Sequence, residues 1–128
     1  MARYLKAFSS FSTNDLPAAR KFYGDILQLT VTERDQLLEL QVPGGNVLIY
    51  PKDNHEPATF TVLNFVVADL RKEVAALKEK GVVFESYDFP DFKTNEENIM
   101  VDEKMKMKIA WFTDPAGNIL SLIEEGKS

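Results

Sequence analysis

With one histidine, His55, and no cysteine among 128 residues, the chain must draw any chemistry from carboxylates, hydroxyls, amides and aromatic rings. Transition-metal sites need several donors converging at about 2.0–2.2 Å, and a lone imidazole does not supply them. His55 lies in a polar connector, residues 51–57, and reads as a solvated loop residue. Carboxylates that could hold a hard cation gather further on, at Asp88, Asp91, Glu96, Glu97, Asp102 and Glu103. There a solvated surface is the expectation rather than a coordination cage. The remaining candidates suit binding. Trp111, the single tryptophan, and Phe8 could stack a flat or cationic molecule. Glu39 could pair with a ligand cation or serve as a general base; on an exposed strand it would be an ordinary solvated carboxylate. Asn64 interrupts an apolar run and needs partners, because an unpaired buried amide costs about 1–3 kcal/mol.

Composition narrows the field. A chain of this length is expected to form one domain with a real core. The hydrophobic fraction of 45% suits a globular protein. No apolar run approaches the roughly 18 residues that span a bilayer, and the N-terminus lacks an apolar signal core, so a cytoplasmic location is expected, with no membrane partner. The net charge is −5 and the basic residues are scattered, which argues against nucleic acid. A mildly acidic surface is compatible with cationic ligands, though it is also the common surface of a merely soluble protein.

The elements that must position these residues come in two copies. Asn14-Asp15-Leu16 opens a helical stretch, and Pro43-Gly44-Gly45-Asn46-Val47-Leu48-Ile49-Tyr50 closes the first unit. Ala68-Asp69-Leu70 and Pro115-Ala116-Gly117-Asn118-Ile119-Leu120-Ser121-Leu122 do the same for the second. Asp15 and Asp69 are 54 residues apart, whereas Pro43 and Pro115 are 72 apart. The difference, 18, is an insertion in the second unit at about residues 85–102, a candidate specificity loop carrying Tyr87, Phe89 and Phe92. Ligand sites usually lie where such repeated halves meet.

Within each unit the order is strand, helix, three strands. In the first, residues 5–12 read as a strand. Residues 16–27 read as an amphipathic helix through Leu16, Ala19, Phe22 and Ile26, with a cap at Thr13 or Asn14 and Pro17 in its first turn. Residues 30–33, 37–42 and 47–50 read as strands. In the second, the strands are 59–67, 82–86, 105–112 and 119–123, and a helix capped by Asp69 carries Leu70, Val74 and Leu77 and stops at Gly81. The expected fold is α+β: two tandem βαβββ modules, about 4–51 and 58–124, within a single domain 1–128. Their cupped mixed or antiparallel sheets carry the helices on the outside and enclose a cavity.

Asp15-Leu16-Pro17-Ala18-Ala19-Arg20-Lys21-Phe22-Tyr23-Gly24-Asp25-Ile26-Leu27-Gln28-Leu29 resembles the D-L-x-x-(S/A)-x-x-F-Y-x-x-x-L-G-L helix of the vicinal oxygen chelate superfamily. That superfamily includes glyoxalase I, extradiol dioxygenases and the fosfomycin and bleomycin resistance proteins. Residues 111–122 resemble its F-x-D-P-D-G-N-x-(I/L)-E-L ending. The resemblance implies paired βαβββ modules, a homodimer and, in the enzymes, a metal held by two histidines and two glutamates. Carried over one at a time, those four positions fall on Phe8, Val62, Ser121 and Ile49. None is a convincing ligand of a divalent ion, so no metal and no other cofactor is expected.

If Phe8 and Val62 face the cup, so do Ser10, Phe60 and Asn64. If Ser121 does, so do Ile119 and Ile123, with Val47 and Ile49 matching them in the first half. In the fosfomycin-resistance relatives the position three before the final Asp faces the site. Here it is Trp111, with Ile109 and Met107 on its side; the repeat pairs Trp111 with Glu39 and Ile109 with Leu37. The expected ligand-binding residues are Phe8, Ser10, Glu39, Asn64, Ile109, Trp111 and Ser121, with Glu39 as the one weak catalytic candidate. Trp111 and the methionines could instead fill the cavity as core.

Two functions compete, with a third beside them. The favoured one is a metal-independent protein that binds, and so sequesters, a cationic or aromatic small molecule. The alternative is a metal-dependent lyase, isomerase or dioxygenase, glyoxalase-like, which needs a metal to stabilise an enediolate or activate oxygen. The third is a partner-binding module that uses the insertion as its recognition surface. The four family positions weigh against an enzyme.

Overall fold

A computed structural model of the chain describes residues 3–126, and the chain divides between Pro57 and Ala58 into two compact units. In the first unit the strands are β1 (Ser9–Thr13), β2 (Thr30–Arg34), β3 (Leu37–Val42) and β4 (Gly45–Pro51), in the sheet order β1-β4-β3-β2. β1 runs parallel to β4 and the other pairs are antiparallel. Helix α1 (Leu16–Lys21) begins where the Asp15 carboxylate accepts the Ala18 N–H at 3.0 Å, so its N-cap is Asp15 and not the expected Thr13 or Asn14. It runs into a π-helical turn, Phe22–Ile26, closed by the Leu27 N–H on the Phe22 carbonyl. Ala19, Phe22 and Tyr23 are buried, as are Phe11, Leu38, Leu40, Val47 and Ile49 on the sheet. Strand alternation puts those five on the helix-covered face.

Residues 28 and 35–36 show how the backbone closes this unit. Gln28 ends the helical segment in the left-handed region, φ 61°, while the Leu29 N–H reaches back to the Tyr23 carbonyl, a Schellman-type stop. The family pattern carries glycine there, and this chain does not. Asp35 and Gln36, at φ 51° and 64°, form the two-residue turn between β2 and β3, matching a type I′ hairpin whose twist follows that of its strands.

The second unit repeats the plan. β5 (Thr61–Val66), β8 (Met100–Asp102), β9 (Met107–Thr113) and β10 (Ile119–Glu124) form a sheet in the order β5-β10-β9-β8. β5 is parallel to β10, and the other pairs are antiparallel. Helix α2 (Leu70–Glu79) packs on β9 and β10. The Asp69 carboxylate caps it through the Lys72 N–H, the Glu124 carboxylate accepts the Leu70 N–H, and Gly81, at φ 93°, follows its end. Its buried side chains are Leu70, Val74 and Leu77, above Ala110, Phe112, Leu120 and Leu122. Two helices and two four-stranded mixed sheets thus make an α+β fold of two tandem βαβββ modules.

Two sequence expectations are corrected. Residues 82–86 do not form a full strand: Phe84 makes one bridge to Phe112, and the Glu85 N–H donates to the Trp111 carbonyl. β9 therefore takes its edge partner in two pieces, Phe84 at one end and β8 at the other. The insertion loops out between them and carries a small hairpin, β6 (Asp88–Phe89) with β7 (Phe92–Lys93). The second correction concerns Val47 and Ile49, expected on the cup side. The connection from β3 to β4 is the two residues Pro43 and Gly44, whereas β9 and β10 are joined by five, residues 114–118. The loops differ by three residues, an odd number, so side chains at matching motif positions fall on opposite faces. Leu48, and not Ile49, is the counterpart of Ser121. Among the described residues no helix is long and apolar enough to cross a membrane.

Candidate functional site

On the sheet face away from α1, register places Ser10, Leu48, Glu39 and Thr32 side by side across β1, β4, β3 and β2. A depression of about 350 Å³ opens here, walled by Phe8, Lys6, Arg34, Glu39, Leu48 and the turn at Gly44 to Asn46. Glu39 is largely covered, with its side chain 20% exposed, and Arg34 Nη2 lies 3.6 Å from its Oε2. Two expected residues, Phe8 and Glu39, thus share one depression. Ser10 is on the same face, beside Leu48.

On the second sheet, the face away from α2 has a matching row: Asn64, Ser121 and Trp111 sit side by side across β5, β10 and β9. Ser121 is fully buried and donates its hydroxyl to the Asn64 carbonyl oxygen. Asn64 itself is exposed, so the contact satisfies the buried serine hydroxyl rather than a buried amide. Ile109 follows Trp111 on the same face, opposite Ile123 and Met100. The two rows also confirm the internal repeat, since Ser10, Leu48 and Glu39 occupy the places of Asn64, Ser121 and Trp111.

Trp111 does not stand alone. The Tyr87 ring meets it edge-on at 5.5 Å and Phe92 lies 5.0 Å away, tilted. Phe89 stacks on Tyr87 at 6.3 Å. These rings, with Phe60 and Ile119, line a depression of about 440 Å³. Phe60 is 68% exposed and Phe89 57%, so the aromatic wall presents much of its surface to solvent. The insertion is fixed in place by polar contacts. Tyr87 and Thr94 exchange backbone and hydroxyl hydrogen bonds, Asn98 Nδ2 donates to Ser86 Oγ at 2.7 Å, and Arg71 on α2 pairs with Glu97 at 3.0 Å. Burial, with Glu85 nearby as a smaller cause, pushes the Tyr87 hydroxyl above the usual tyrosine range. The insertion, residues 85–102, carries six carboxylates against one lysine, so the aromatic wall lies in an acidic segment.

The family's metal was tested against the donors present. Phe8, Val62 and Leu48, the counterpart of Ser121, carry no ligating atom, and Ile49 lies on the helix-covered face. Ser121 offers a hydroxyl already committed to Asn64. Among the described residues no group of three or more His, Asp or Glu side chains converges as a metal site would require. This donor set does not fit a divalent ion.

Sequence reasoning missed two relationships. His55 is half-buried rather than solvated, and its Nδ1 lies 2.6 Å from Ser12 Oγ. A contact 43 residues long has no local signature. Tyr87, Phe89 and Phe92 were recognisable as aromatic, and their spacing around Pro90-Asp91 is that of a tight hairpin. Their partner Trp111 was not deducible from it.

No curated protein matches the sequence. Solved structures do. An integron cassette protein, HFX_CASS4, from the mobile metagenome of the Halifax Harbour sewage outfall is 22% identical with a TM-score of 0.70, the match covering 91% of this chain and 95% of that one. A glyoxalase/bleomycin resistance protein/dioxygenase from Alicyclobacillus acidocaldarius is 14% identical, TM-score 0.71, over 94% and 91%. TnmS3, described as an antibiotic binding protein from Streptomyces sp. CB03234, is 18% identical, TM-score 0.67, over 98% and 99%. At such identities the likeness is one of fold. The sequence profile of one family matches residues 7–122, nearly the whole chain. The chain belongs to the Glyoxalase/Bleomycin resistance protein/Dioxygenase superfamily.

Proposed function

We propose that this chain binds a small aromatic, cationic molecule without the help of a divalent metal, and that it works as a cytoplasmic homodimer. The observation that carries the reading is the aromatic depression on the second sheet, where Trp111, Tyr87, Phe89, Phe92 and Phe60 surround about 440 Å³. An apolar concavity with a few polar groups suits a ligand of modest size. Several exposed π faces favour a flat or positively charged one. Asn64, exposed in the same row as Trp111, supplies a polar edge to that face while the buried Ser121 holds its amide, and Ile109 continues the face as an apolar floor. The acidic insertion raises the local concentration of cations. Support for a metal-free site comes from the donors, which are hydrocarbon or hydroxyl at the family's ligand positions. The antibiotic-binding description of TnmS3 lends the same reading support by analogy of fold.

Calorimetric titration with a planar aromatic cation such as proflavine tests this. One ligand per chain is expected, and Phe92→Ala should weaken binding by at least about fivefold through lost ring contact. Affinity unchanged by both Phe92→Ala and Trp111→Ala would place the ligand elsewhere and sink the assignment. Light scattering of the purified chain tests the dimer.

A further inference from the structure

We infer that Ser12 and His55 form a nucleophile–base pair that takes acyl groups from small activated esters. The pair stands where β1 ends and the connector leaving β4 crosses it. Ser12 Oγ lies 2.6 Å from His55 Nδ1, inside the range for a hydroxyl and the base that removes its proton. In the tautomer that carries its hydrogen on Nε2, the imidazole accepts the Ser12 O–H at Nδ1. The backbone of the connector holds the ring there. The Lys52 N–H donates to the Thr13 carbonyl at 2.9 Å, and the His55 N–H donates to the Lys52 carbonyl at 3.1 Å. The imidazole is thus tied to the strand beside its serine, the positioning that a general base needs. Both residues are half-buried, covered enough to be held and open enough to be reached.

The pair is separate from the depression beside Glu39. The walls of that depression include neither Ser12 nor His55, and Ser12 follows Phe8 by four residues, roughly 13 Å along an extended chain. Register puts Tyr50 of β4 beside Ser12. Tyr50 is 39% exposed, and its ring is an apolar neighbour for an acyl or aryl group. In the transfer, Ser12 Oγ bonds to the ester carbonyl carbon as its proton passes to His55 Nδ1. The carbon–oxygen bond to the alcohol then breaks, and the alcohol departs with that proton. Water, giving its proton to His55, next attacks the acyl-serine, which releases the carboxylic acid and restores the serine hydroxyl. The Lys52 and His55 N–H groups are engaged by backbone carbonyls and do not form an oxyanion hole. One donor of such a hole is worth about 10²–10³ in rate. Without these donors the pair suits esters with good leaving groups rather than amides.

The test uses the full chain with 4-nitrophenyl acetate and with phenylmethylsulfonyl fluoride, whose sulfonyl group stays on a serine that displaces its fluoride. One sulfonyl group per chain, mapped by mass spectrometry to Ser12, is expected, together with nitrophenolate release above the rate in buffer. Ser12→Ala and His55→Gln should each cut that excess release by about 10²-fold or more, the scale of a positioned general base. His55→Gln should slow the sulfonylation of Ser12 by a similar factor. Melting temperatures check that both variants are folded, and the labelled position in the unaltered chain decides even if one is not. No label on Ser12, or labelling at the same rate in His55→Gln, overturns the inference. So does an absence of excess release, or release that Ser12→Ala leaves unchanged, the result expected where exposed lysines react and the Ser12–His55 contact only fastens the connector.

Discussion

Asp114 stands in the turn between β9 and β10, and its contacts assign it to folding that turn. It is 5% exposed. Its Oδ1 accepts the Ala116 and Asn118 N–H groups, and its Oδ2 accepts Asn118 Nδ2, all at 2.9 Å. Asn118 is itself 2% exposed, so Asp114→Ala withdraws the acceptor from two buried donors as well as one half-buried one. A buried donor left without its acceptor costs about 1–3 kcal/mol, and two of them put the loss at about 2–6 kcal/mol. For a chain of this size about 1 kcal/mol moves the melting temperature by roughly 3–5 °C, so a drop of about 6 °C or more is expected. Urea denaturation read by far-ultraviolet circular dichroism gives the free energy directly. Asp114→Asn should fall between, since it keeps an oxygen for the Oδ1 bonds but turns a second amide towards Asn118. A loss below about 0.5 kcal/mol for Asp114→Ala, typical of an unimportant surface change, would refute the reasoning.

Two further outcomes follow from the backbone and from Tyr87. Gln28 holds a left-handed conformation at the end of the α1 segment, which costs a non-glycine residue about 1–2 kcal/mol. Gln28→Gly should therefore stabilise the chain by up to about 1 kcal/mol after its greater unfolded-state entropy is counted; a lower melting temperature would contradict the strain. The Tyr87 hydroxyl holds its proton more tightly in the folded chain than the ordinary value near 10 allows. The folded form keeps that advantage below pH 10 and loses it as pH climbs through the raised value. Tyr87→Phe should show a shallower alkaline fall in melting temperature, and identical profiles would contradict burial as the cause.

The parts of the fold that were legible are those set by local rules. Asp69 announces a helix start and makes its cap, and the first helix opens where expected, although Asp15 caps it instead of Thr13 or Asn14. The alternation from Met107 onward assigned Ala110 and Phe112 to the helix side and Trp111 to the other, as the burial shows. The Leu37–Val42 strand matches its expected bounds. What sequence could not give was register. Pro43-Gly44-Gly45-Asn46 and Pro115-Ala116-Gly117-Asn118 look equivalent, but the first leaves two residues between paired strands and the second five. That odd offset, invisible in the motif, moved Ile49 to the helix face and brought Leu48 opposite Glu39. Residues 82–86 had strand composition, yet they meet β9 only through the Phe84–Phe112 bridge and the Glu85 N–H on the Trp111 carbonyl. The site was legible as separate residues rather than as neighbourhoods. Trp111, Asn64 and Ser121 were named and do adjoin, as do Phe8 and Glu39. The contacts of Trp111 with Tyr87 and Phe92 depend on how an insertion folds back, which no periodicity encodes.

Because Trp111 is the only tryptophan, its fluorescence reports the proposed site without labelling. The decisive measurement is a titration of that fluorescence with proflavine, on protein purified without chelators or a histidine tag and analysed for metals, repeated after addition of a strong chelator. The account predicts saturable quenching at one ligand per chain, the same with and without chelator. Stoichiometric metal in the purified protein, together with quenching that disappears once the metal is removed, would contradict it.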